Sequence, residues 1–265
     1  MDNRPIGVYD SGIGGLTGLK ALRCLLPGED FVFFADTGRM PYGPRPQAEL
    51  CRIAKQDMDF LAGFGVKVIL AACGTISSAA HAVLAEYPIP AFGVVDTAIR
   101  AMADVAGDGP LGVLATAASI ESGQFTDALR TLCPGREVIG LPCPEFAPTI
   151  EAGHIDPDDP VLRSAVERAL APLRGVPFSA VLLGCTHYGI IEAAISRALP
   201  GIRLLSAADC GAEAVRDYLV SHDLTGGAGE TRFYISRDPA DFDAFASRYL
   251  ALGPVRAEQV PIMEL

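Results

Sequence analysis

The chain has 265 residues, half of them hydrophobic, which is enough material for one large domain or two smaller ones. Its formal net charge of −11, from 32 acidic and 21 basic residues, argues against nucleic acid or an anionic membrane as the main partner. No segment has the character of a signal peptide or a membrane span, so we expect a cytoplasmic protein. Seven cysteines without a secretory signal predict free thiols rather than a disulfide framework.

Short apolar runs alternate with amphipathic segments along the whole chain. The predicted strands are residues 6–9, 31–35, 66–71, 91–95, 112–115, 137–141, 180–183, 203–206 and 232–236. The clearest helical segments between them are residues 16–26, 48–63, 161–173 and 191–199. This alternation predicts an α/β fold with mostly parallel sheets that helices cover on both faces.

Two motifs recur in the same order, which indicates an internal repeat. The strand and loop at residues 6–12 resemble residues 111–117, and Gly7 and Gly112 are 105 positions apart (112 minus 7). Cys73 and Cys185 are 112 positions apart (185 minus 73). We therefore expect two similar α/β halves that each contribute one cysteine to a ligand-binding cleft.

Cys73 and Cys185 stand at the ends of two predicted strands, and each is followed by a threonine, Thr75 or Thr186. A cysteine in such a place is more often a small core residue than a catalyst. A free thiol has a pKa of about 8.5, so catalysis also requires a neighbour that accepts its proton. His187 is the candidate for Cys185. Two thiols on one ligand would suit the transfer of a proton from one face of a carbon to the other.

Asp10 is the candidate base for Cys73, because it ends the first strand and we expect it at the same edge of the sheet. The glycine-rich segment 10–18 matches neither nucleotide-binding template: Thr17 stands where G-x-G-x-x-G needs its third glycine, and the P-loop lysine is absent. A plain turn without a ligand is the default interpretation. We favour a turn that brings Asp10 and Ser11 to a small polar substrate.

Two further loops carry candidate binding groups. Pro41, Tyr42 and Gly43 follow the second strand, where a plain turn is the default but backbone N–H groups can hold a carboxylate. Thr116 and Ser119 follow the fifth strand, where hydroxyl oxygens usually cap helices. Capping and ligand binding are compatible at these positions.

Three histidines and one glutamate show no sign of a functional role by themselves. His81, His154 and His222 lack the spacing of metal ligands, so no metal site is expected. By default Glu151 is a solvated carboxylate at a helix end.

Four motifs of the chain are weak signals alone and highly specific together. They are Asp10-Ser11-Gly12-Ile13-Gly14-Gly15, Pro41-Tyr42-Gly43, Cys73-Gly74-Thr75 and Gly184-Cys185-Thr186-His187-Tyr188. This set resembles the glutamate racemases of the cofactor-independent aspartate/glutamate racemase superfamily. The likeness runs nearly end to end, because residues 206–214 and 233–260 are also similar to the last part of these enzymes.

The resemblance implies two pseudo-symmetric three-layer α/β domains with the active site in the cleft between them. Residues 1–96 with 208–265 would form the first domain, and residues 97–207 the second. It implies racemisation of glutamate by two bases, with no cofactor and no metal: one thiolate removes the α-proton and the opposite thiol protonates the other face. It also implies a supply of D-glutamate for peptidoglycan and, as often in the family, a homodimer.

The resemblance assigns roles to individual residues. Cys73, assisted by Asp10, would deprotonate D-glutamate, and Cys185, assisted by His187, would deprotonate L-glutamate. Glu151 matches an acidic residue that assists the site. The positions that match substrate-holding residues are Ser11, Pro41, Tyr42, Gly43, Gly74, Thr75, Thr116, Ser119 and Thr186.

The chain also departs from the family pattern. Gly74 stands where the family usually has asparagine, and the loss of that amide anchor costs roughly 1 to 3 kcal/mol if nothing replaces it. Ser119 stands where threonine is usual, and Gly189 replaces a frequent proline. These changes bear on substrate identity and efficiency more than on the type of reaction.

Three other functions compete with this interpretation. A relative with an altered acidic substrate would fit the wider pocket at Gly74. An idle binding protein that keeps the fold is disfavoured by the complete set Asp10, Cys73, Cys185 and His187. A cysteine hydrolase needs only one thiol, so the second cysteine would have no role.

Overall fold

The structure is a computed structural model that describes residues 1–105 and 107–261. Its strands are β1 (Ile6–Asp10), β2 (Phe31–Ala35), β3 (Val68–Ala71), β4 (Ala91–Gly93), β5 (Leu111–Ala115), β6 (Val138–Pro142), β7 (Ala180–Leu183), β8 (Leu204–Ser206), β9 (Thr231–Ile235) and β10 (Ala257–Gln259). Its helices are α1 (Leu16–Leu25), α2 (Gln47–Ala62), α3 (Gly74–Ala79), α4 (His81–Ala85), α5 (Val94–Ala103), α6 (Ala117–Glu121), α7 (Gln124–Leu132), α8 (Phe146–Glu151), α9 (Pro160–Leu170), α10 (Glu192–Ala198), α11 (Ala207–Ser221) and α12 (Ala240–Leu250). Short 3-10 segments occupy Ile13–Gly15, Thr37–Arg39, Ala171–Leu173 and Thr186–Ile191.

The described strands lie in two sheets, and the chain divides into two compact units. The first unit comprises residues 1–94 and 211–265, and the second comprises residues 95–210. The sheet of the first unit has the order β10-β9-β2-β1-β3-β4, and that of the second has the order β6-β5-β7-β8. All neighbouring strands are parallel, so the predicted α/β class is confirmed. The predicted domains, residues 1–96 with 208–265 and residues 97–207, stay a prediction.

The internal repeat is visible in the strand order, because β2-β1-β3-β4 and β6-β5-β7-β8 follow one pattern. The register repeats as well: Tyr9 pairs with Ala71 in the first sheet, and Leu114 pairs with Leu183 in the second. The cysteine loops follow the equivalent strands β3 and β7. The fold therefore places the two thiols at corresponding positions of the two sheets.

The central strands are buried along their whole length, as a parallel sheet covered on both faces requires. In the first unit, Tyr9 and Ile69 belong to one apolar core with Ile53 and Met58 of α2. Each fully buried aliphatic side chain of this kind contributes about 1.5 to 3 kcal/mol. The packed core thus holds the carboxyl ends of β1 and β3 in place.

The structure corrects one predicted strand and adds a strand that was not predicted. Residues 91–95 were expected to form a strand, but β4 ends at Gly93 and α5 begins at Val94. The β-branched pair Val94 and Val95 favours a strand by propensity alone, and tertiary context overrides so weak a preference. The short strand β10 was not predicted, because Ala257–Gln259 has no apolar run. It pairs with β9 and, with β9, joins the sheet of the first unit beside β2.

Within the described residues, no helix combines the length and the hydrophobicity that crossing a bilayer requires.

Candidate active site

Cys73 lies at the junction between strand β3 and helix α3. The preceding residue, Ala72, lies just past the strand, and its backbone N–H donates to the Tyr9 carbonyl at 2.9 Å. Because β1 and β3 are parallel neighbours, Cys73 and Asp10 lie at the same edge of the sheet, as the sequence predicted. The cysteine is buried, with 6% of its surface exposed.

Ser11 connects Asp10 to Cys73. Its hydroxyl donates to Asp10 Oδ1 at 3.1 Å, and its Oγ lies 3.7 Å from Cys73 Sγ. Asp10 Oδ1 also accepts the backbone N–H of Gly12 at 2.9 Å, which fixes the carboxylate. Sequence reasoning predicted Asp10 and Ser11 at the site but not that the serine hydroxyl stands between the carboxylate and the thiol.

The surroundings of Cys73 favour the protonated thiol. Burial raises the pKa of Cys73 from 9.0 to about 12, with a further contribution from the negative charge of Asp10. Hydrogen bonds from the backbone of Ile76 and from Ser11 act in the opposite direction, because they stabilise the thiolate. At neutral pH Cys73 is therefore a proton donor, and it needs an acceptor before it can act as a base.

Gly15 explains why the loop after β1 is rich in glycine. A Cβ atom at this position would lie 2.4 Å from Asp10 Cβ, which is closer than two such atoms can approach. Gly15 belongs to the 3-10 segment before α1, and Asp10 packs against its backbone. A larger residue would displace the Asp10 carboxylate.

The residues of the loop after β2 divide into exposed and buried ones. Pro41 and Gly43 are exposed, whereas Tyr42 has only 2% of its surface exposed. The Tyr42 hydroxyl donates to Asp36 Oδ2 at 2.5 Å inside the first unit. The Tyr42 hydroxyl is thus bonded within the protein. The backbone N–H groups of this loop, which the sequence analysis proposed as ligands for a carboxylate, stay a prediction.

Gly74 and Thr75 are the first two residues of α3 and are half-buried. They lie directly after Cys73, so the first unit brings together the predicted residues Asp10, Ser11, Cys73, Gly74 and Thr75 around one strand edge. Their roles toward a substrate stay predictions.

Cys185 lies two residues after β7 and directly precedes the 3-10 segment Thr186–Ile191. This segment is anchored by Tyr188, whose hydroxyl donates to the Cys143 carbonyl at 2.9 Å and whose ring packs edge-on against Phe146. Thr186 is buried, with 4% of its surface exposed. The anchored segment fixes the backbone that carries Cys185 and His187.

His187 lies between Cys185 and Glu151. Its Nδ1 is 3.8 Å from Cys185 Sγ, and its Nε2 is 3.2 Å from Glu151 Oε1. The imidazole is mostly buried, with 10% of the side chain exposed, while the Glu151 side chain is 40% exposed. Glu151 ends helix α8 as the sequence suggested, but it is paired with His187 rather than simply solvated.

Thr116 follows strand β5, the neighbour of β7, and therefore shares a sheet edge with Cys185. Its Oγ1 accepts the backbone N–H of Ser119 at 3.2 Å and lies 2.9 Å from Ser119 Oγ. The predicted capping role of Thr116 at the start of α6 is confirmed. Both hydroxyls are half-buried, and their part in ligand binding stays a prediction.

Sequence reasoning missed a buried ionic network next to the loop of Tyr42. Arg39, with 5% of its surface exposed, donates to three side chains. Its Nε reaches Asp36 Oδ2 at 2.5 Å, its Nη1 reaches Gln56 Oε1 at 2.5 Å, and its Nη2 reaches Asp57 Oδ1 at 2.6 Å. One signal was present in the sequence, because Asp57 interrupts the apolar stripe of α2.

No group of three or more histidine, cysteine, aspartate or glutamate side chains in the described part of the chain is arranged to hold a metal ion. The described titratable groups at the two cysteine loops instead form small sets around each thiol. These sets suit proton transfer, with hydroxyl, carboxylate and imidazole as carriers.

Known racemases are similar to this chain over most of its length. Residues 36–215 match the family model described as Asp/Glu/Hydantoin racemase. A glutamate racemase of Thermus thermophilus is 42% identical over 249 residues, which cover 92% of this chain and 91% of the relative. One from Levilactobacillus brevis is 34% identical over 271 residues, covering 100% of this chain and 98% of the relative.

A solved structure is similar over nearly the whole chain. It is the glutamate racemase of Francisella tularensis in complex with D-glutamate, with a TM-score of 0.86 and 32% identity. The match covers 98% of each chain. The end-to-end likeness that the motifs indicated is therefore confirmed.

Proposed function

The chain belongs to the Asp/Glu/hydantoin racemase family, and we propose that it interconverts L-glutamate and D-glutamate by proton transfer between two thiols. The observation that carries the proposal is the repeated cysteine. Cys73 and Cys185 occupy equivalent places after β3 and β7, and each has its own proton-handling partners. Both thiols would act on the same α-carbon.

The proposed reaction moves one proton in and one proton out. In the L-to-D direction the Cys185 thiolate takes the α-proton, the Cα–H bond breaks, and its electron pair moves into the substrate carboxylate. The Cys73 thiol then gives its proton to the opposite face of the α-carbon and becomes a thiolate. The roles are exchanged in the D-to-L direction. The raised pKa of Cys73, about 12, supports its role as proton donor.

The reverse direction requires that Cys73 loses its proton. Ser11 offers a path, since its Oγ is 3.7 Å from Cys73 Sγ and its hydroxyl donates to Asp10 Oδ1. A proton that passes from the thiol to the serine oxygen can release the serine proton to the carboxylate. Asp10 would thus act on Cys73 through Ser11.

The second thiol has an imidazole as its acceptor. His187 Nδ1 faces Cys185, and the Glu151 carboxylate lies 3.2 Å from Nε2, where its negative charge would favour a positively charged ring. Transition-state stabilisation then depends on donors that face the developing negative charge. The proposed substrate-holding groups are Ser11, the backbone of Pro41, Tyr42 and Gly43, and Gly74, Thr75, Thr116, Ser119 and Thr186.

The proposed physiological role is the supply of D-glutamate for bacterial peptidoglycan, in the cytoplasm and without a cofactor. A homodimer is the assembly that we propose, and size-exclusion chromatography with light scattering tests it.

Incubation of the protein with L-glutamate in deuterium oxide tests the activity. The expected result is D-glutamate that carries deuterium at the α-carbon, because each turnover draws one proton from a thiol that exchanges with solvent. Folded protein that yields neither racemisation nor α-deuteration would contradict the proposal.

Gly74 favours a second candidate, a racemase of this fold with another acidic amino acid as substrate. The family's asparagine amide is absent at this position, so the contact beside Cys73 differs from that of typical members. Solvent deuterium exchange measured with aspartate, glutamate and longer acidic amino acids separates the two candidates. Faster exchange with a substrate other than glutamate supports the second.

A further inference from the structure

The polar side chains around the Pro41–Gly43 loop are bonded to the interior of the first unit. The Tyr42 hydroxyl lies 2.5 Å from Asp36 Oδ2 and 3.2 Å from Asp57 Oδ2. A phenol has one proton and can donate it to only one of the two carboxyl groups at a time. Tyr42 therefore bridges two acidic side chains that come from different elements, the end of β2 and helix α2.

Arg39 completes this network with its guanidinium group. It donates to both carboxyl groups and to Gln56, so its three nitrogen atoms all have partners. Burial, and then the proximity of Asp36, raise the pKa of Asp57 well above its usual range. Arg39 places a positive charge against both carboxyl groups, and this charge counteracts the rise in the pKa of Asp57. Buried charges that are paired in this way avoid the large cost of an uncompensated buried charge.

A second set of hydrogen bonds joins the same segment to Ser236, the residue directly after strand β9. The Ser236 hydroxyl donates to Asp36 Oδ1 at 2.8 Å and accepts the backbone N–H of Gly38 at 2.8 Å. The Arg39 carbonyl accepts from Arg45 Nε at 2.9 Å, on the far side of the loop. The segment is thus fixed at both ends by buried or half-buried contacts.

The opposite side of the loop is open. Gly43 is exposed, and a Cβ atom at its position would meet nothing within 4 Å. The loop therefore presents backbone to the outside while its side chains are held inside. Such an arrangement keeps donors oriented before a ligand arrives and reduces the entropy cost of binding.

We propose that Arg39 is a positioning residue for substrate binding: through Asp36, Asp57 and Tyr42 it fixes the backbone of the Pro41–Gly43 loop that holds the substrate carboxylate. This inference rests on the proposed racemase function, which assigns the loop to the substrate. Arg39 itself touches no reacting atom. Its loss should weaken binding of both glutamate enantiomers and leave the proton transfers largely intact.

The first test replaces Arg39 by lysine, which keeps the charge but cannot reach three separate acceptors with a planar fork. Arg52→Lys is the matched control, because Arg52 is exposed on α2. We expect Arg39→Lys to raise KM for both enantiomers about tenfold, the loss associated with charge-assisted hydrogen bonds, with kcat changed less than about twofold. An unchanged KM in folded Arg39→Lys, or an equal rise in Arg52→Lys, would overturn the proposal.

A second pair of variants distinguishes the positioning role from a general loss of folding. Tyr42→Phe removes only the hydroxyl that bridges Asp36 and Asp57. The control, Tyr87→Phe, removes a hydroxyl that donates at 2.9 Å to Asp59, which lies in α2 like Asp57. We expect faster amide hydrogen exchange in residues 37–45 and a higher KM only for Tyr42→Phe. Exchange equal to that of Tyr87→Phe would contradict the positioning role.

These readouts separate the inference from the proposed function. A wild-type protein that fails to racemise glutamate contradicts the proposed function, and the role in substrate binding fails with it. The exchange comparison still shows whether the network holds the loop. An active wild type with unchanged KM in Arg39→Lys and Tyr42→Phe contradicts the inference alone.

Discussion

The two cysteine loops occupy equivalent places in sheets of the same strand order, yet different chemistry supports them. At the repeat offsets of 105 and 112 residues, the position of Asp10 falls on Ala115 and the position of Thr75 falls on His187. Cys73 therefore takes its partners from the end of the neighbouring strand, and Cys185 takes its partner from its own loop. The repeated fold fixes where each thiol lies, while the surrounding residues decide how each exchanges its proton.

The two surroundings also differ in access to water. Asp10 is 1% exposed, so the proposed proton path from Cys73 ends inside the first unit. The proposed path from Cys185 leads through His187 to Glu151, whose side chain is 40% exposed. One thiol is thus enclosed and the other is linked to a solvated carboxylate.

The largest expected effect comes from removing either thiol. Cys73→Ser and Cys185→Ser should each reduce the rate of racemisation by about 10²- to 10⁴-fold. A serine hydroxyl loses its proton far less readily than a thiol, so it cannot replace either base. D-glutamate formation followed by circular dichroism measures the loss. Cys24→Ser, at an exposed position in α1, serves as the control and should remain active. High activity in one of the two variants would show that the thiols are not both required.

A smaller effect should follow from Glu151→Gln, which removes the charge that faces His187 Nε2. We expect kcat to fall about tenfold, since an amide stabilises the imidazolium less than a carboxylate does. Glu145→Gln removes a carboxylate at the other end of α8, where Glu145 pairs with Arg168 on the surface, and should change kcat little. Equal effects of the two variants would remove Glu151 from the proton path.

The pKa of Cys73 provides a test that does not depend on turnover. Asp10→Asn removes the negative charge that helps to raise this pKa to about 12, so the pKa should fall while burial keeps it above its ordinary value. Thiolate forms at lower pH in the variant, so alkylation of Cys73 at pH 9 should be faster than in the wild type. Site-resolved mass spectrometry after iodoacetamide treatment measures the rates. Slower alkylation would contradict the assigned charge effect.

The smallest effect is expected at Gly74, whose counterpart in the second loop is Thr186 at the same offset of 112 residues. Gly74→Asn restores the amide usual in the family, and one added hydrogen bond should lower KM for glutamate by about fivefold. Steady-state kinetics with each enantiomer measures the change. A KM that stays the same would show that another group already replaces the amide.

The strands that carry the site were predictable from sequence because each is a short apolar run that ends in a polar residue. β2 and β7 have the predicted bounds, and Asp10 and Cys73 share the expected sheet edge. The repeat could be predicted from the motifs at Gly7 and Gly112, because these residues lie in β1 and β5, the equivalent strands of two sheets with the same order. Local pattern and topology together therefore determine where the candidate catalytic groups lie.

The contacts of Arg39 were not predictable in the same way. Its partner Asp57 is 18 positions away, and Ser236 bonds to Asp36 across 200 positions, so no local pattern joins them. The link from Ser11 to Cys73 spans 62 positions and depends on side-chain rotamers. Long-range polar contacts can be identified only in the packed fold, whereas the ends of strands can be predicted from the hydrophobic pattern of the sequence.

The last strands have a consequence for synthesis of the chain on the ribosome. β2, with the sequence FVFFA, is completed in its sheet by β9, which begins 196 residues after β2 ends (231 minus 35). At ribosomal speeds of about 5 to 20 residues per second, the edge of β2 stays unpaired for roughly 10 to 40 s before β9 is synthesised. The nascent first unit is therefore exposed to aggregation while the second unit is being made. We expect truncation before Thr231 to yield insoluble protein.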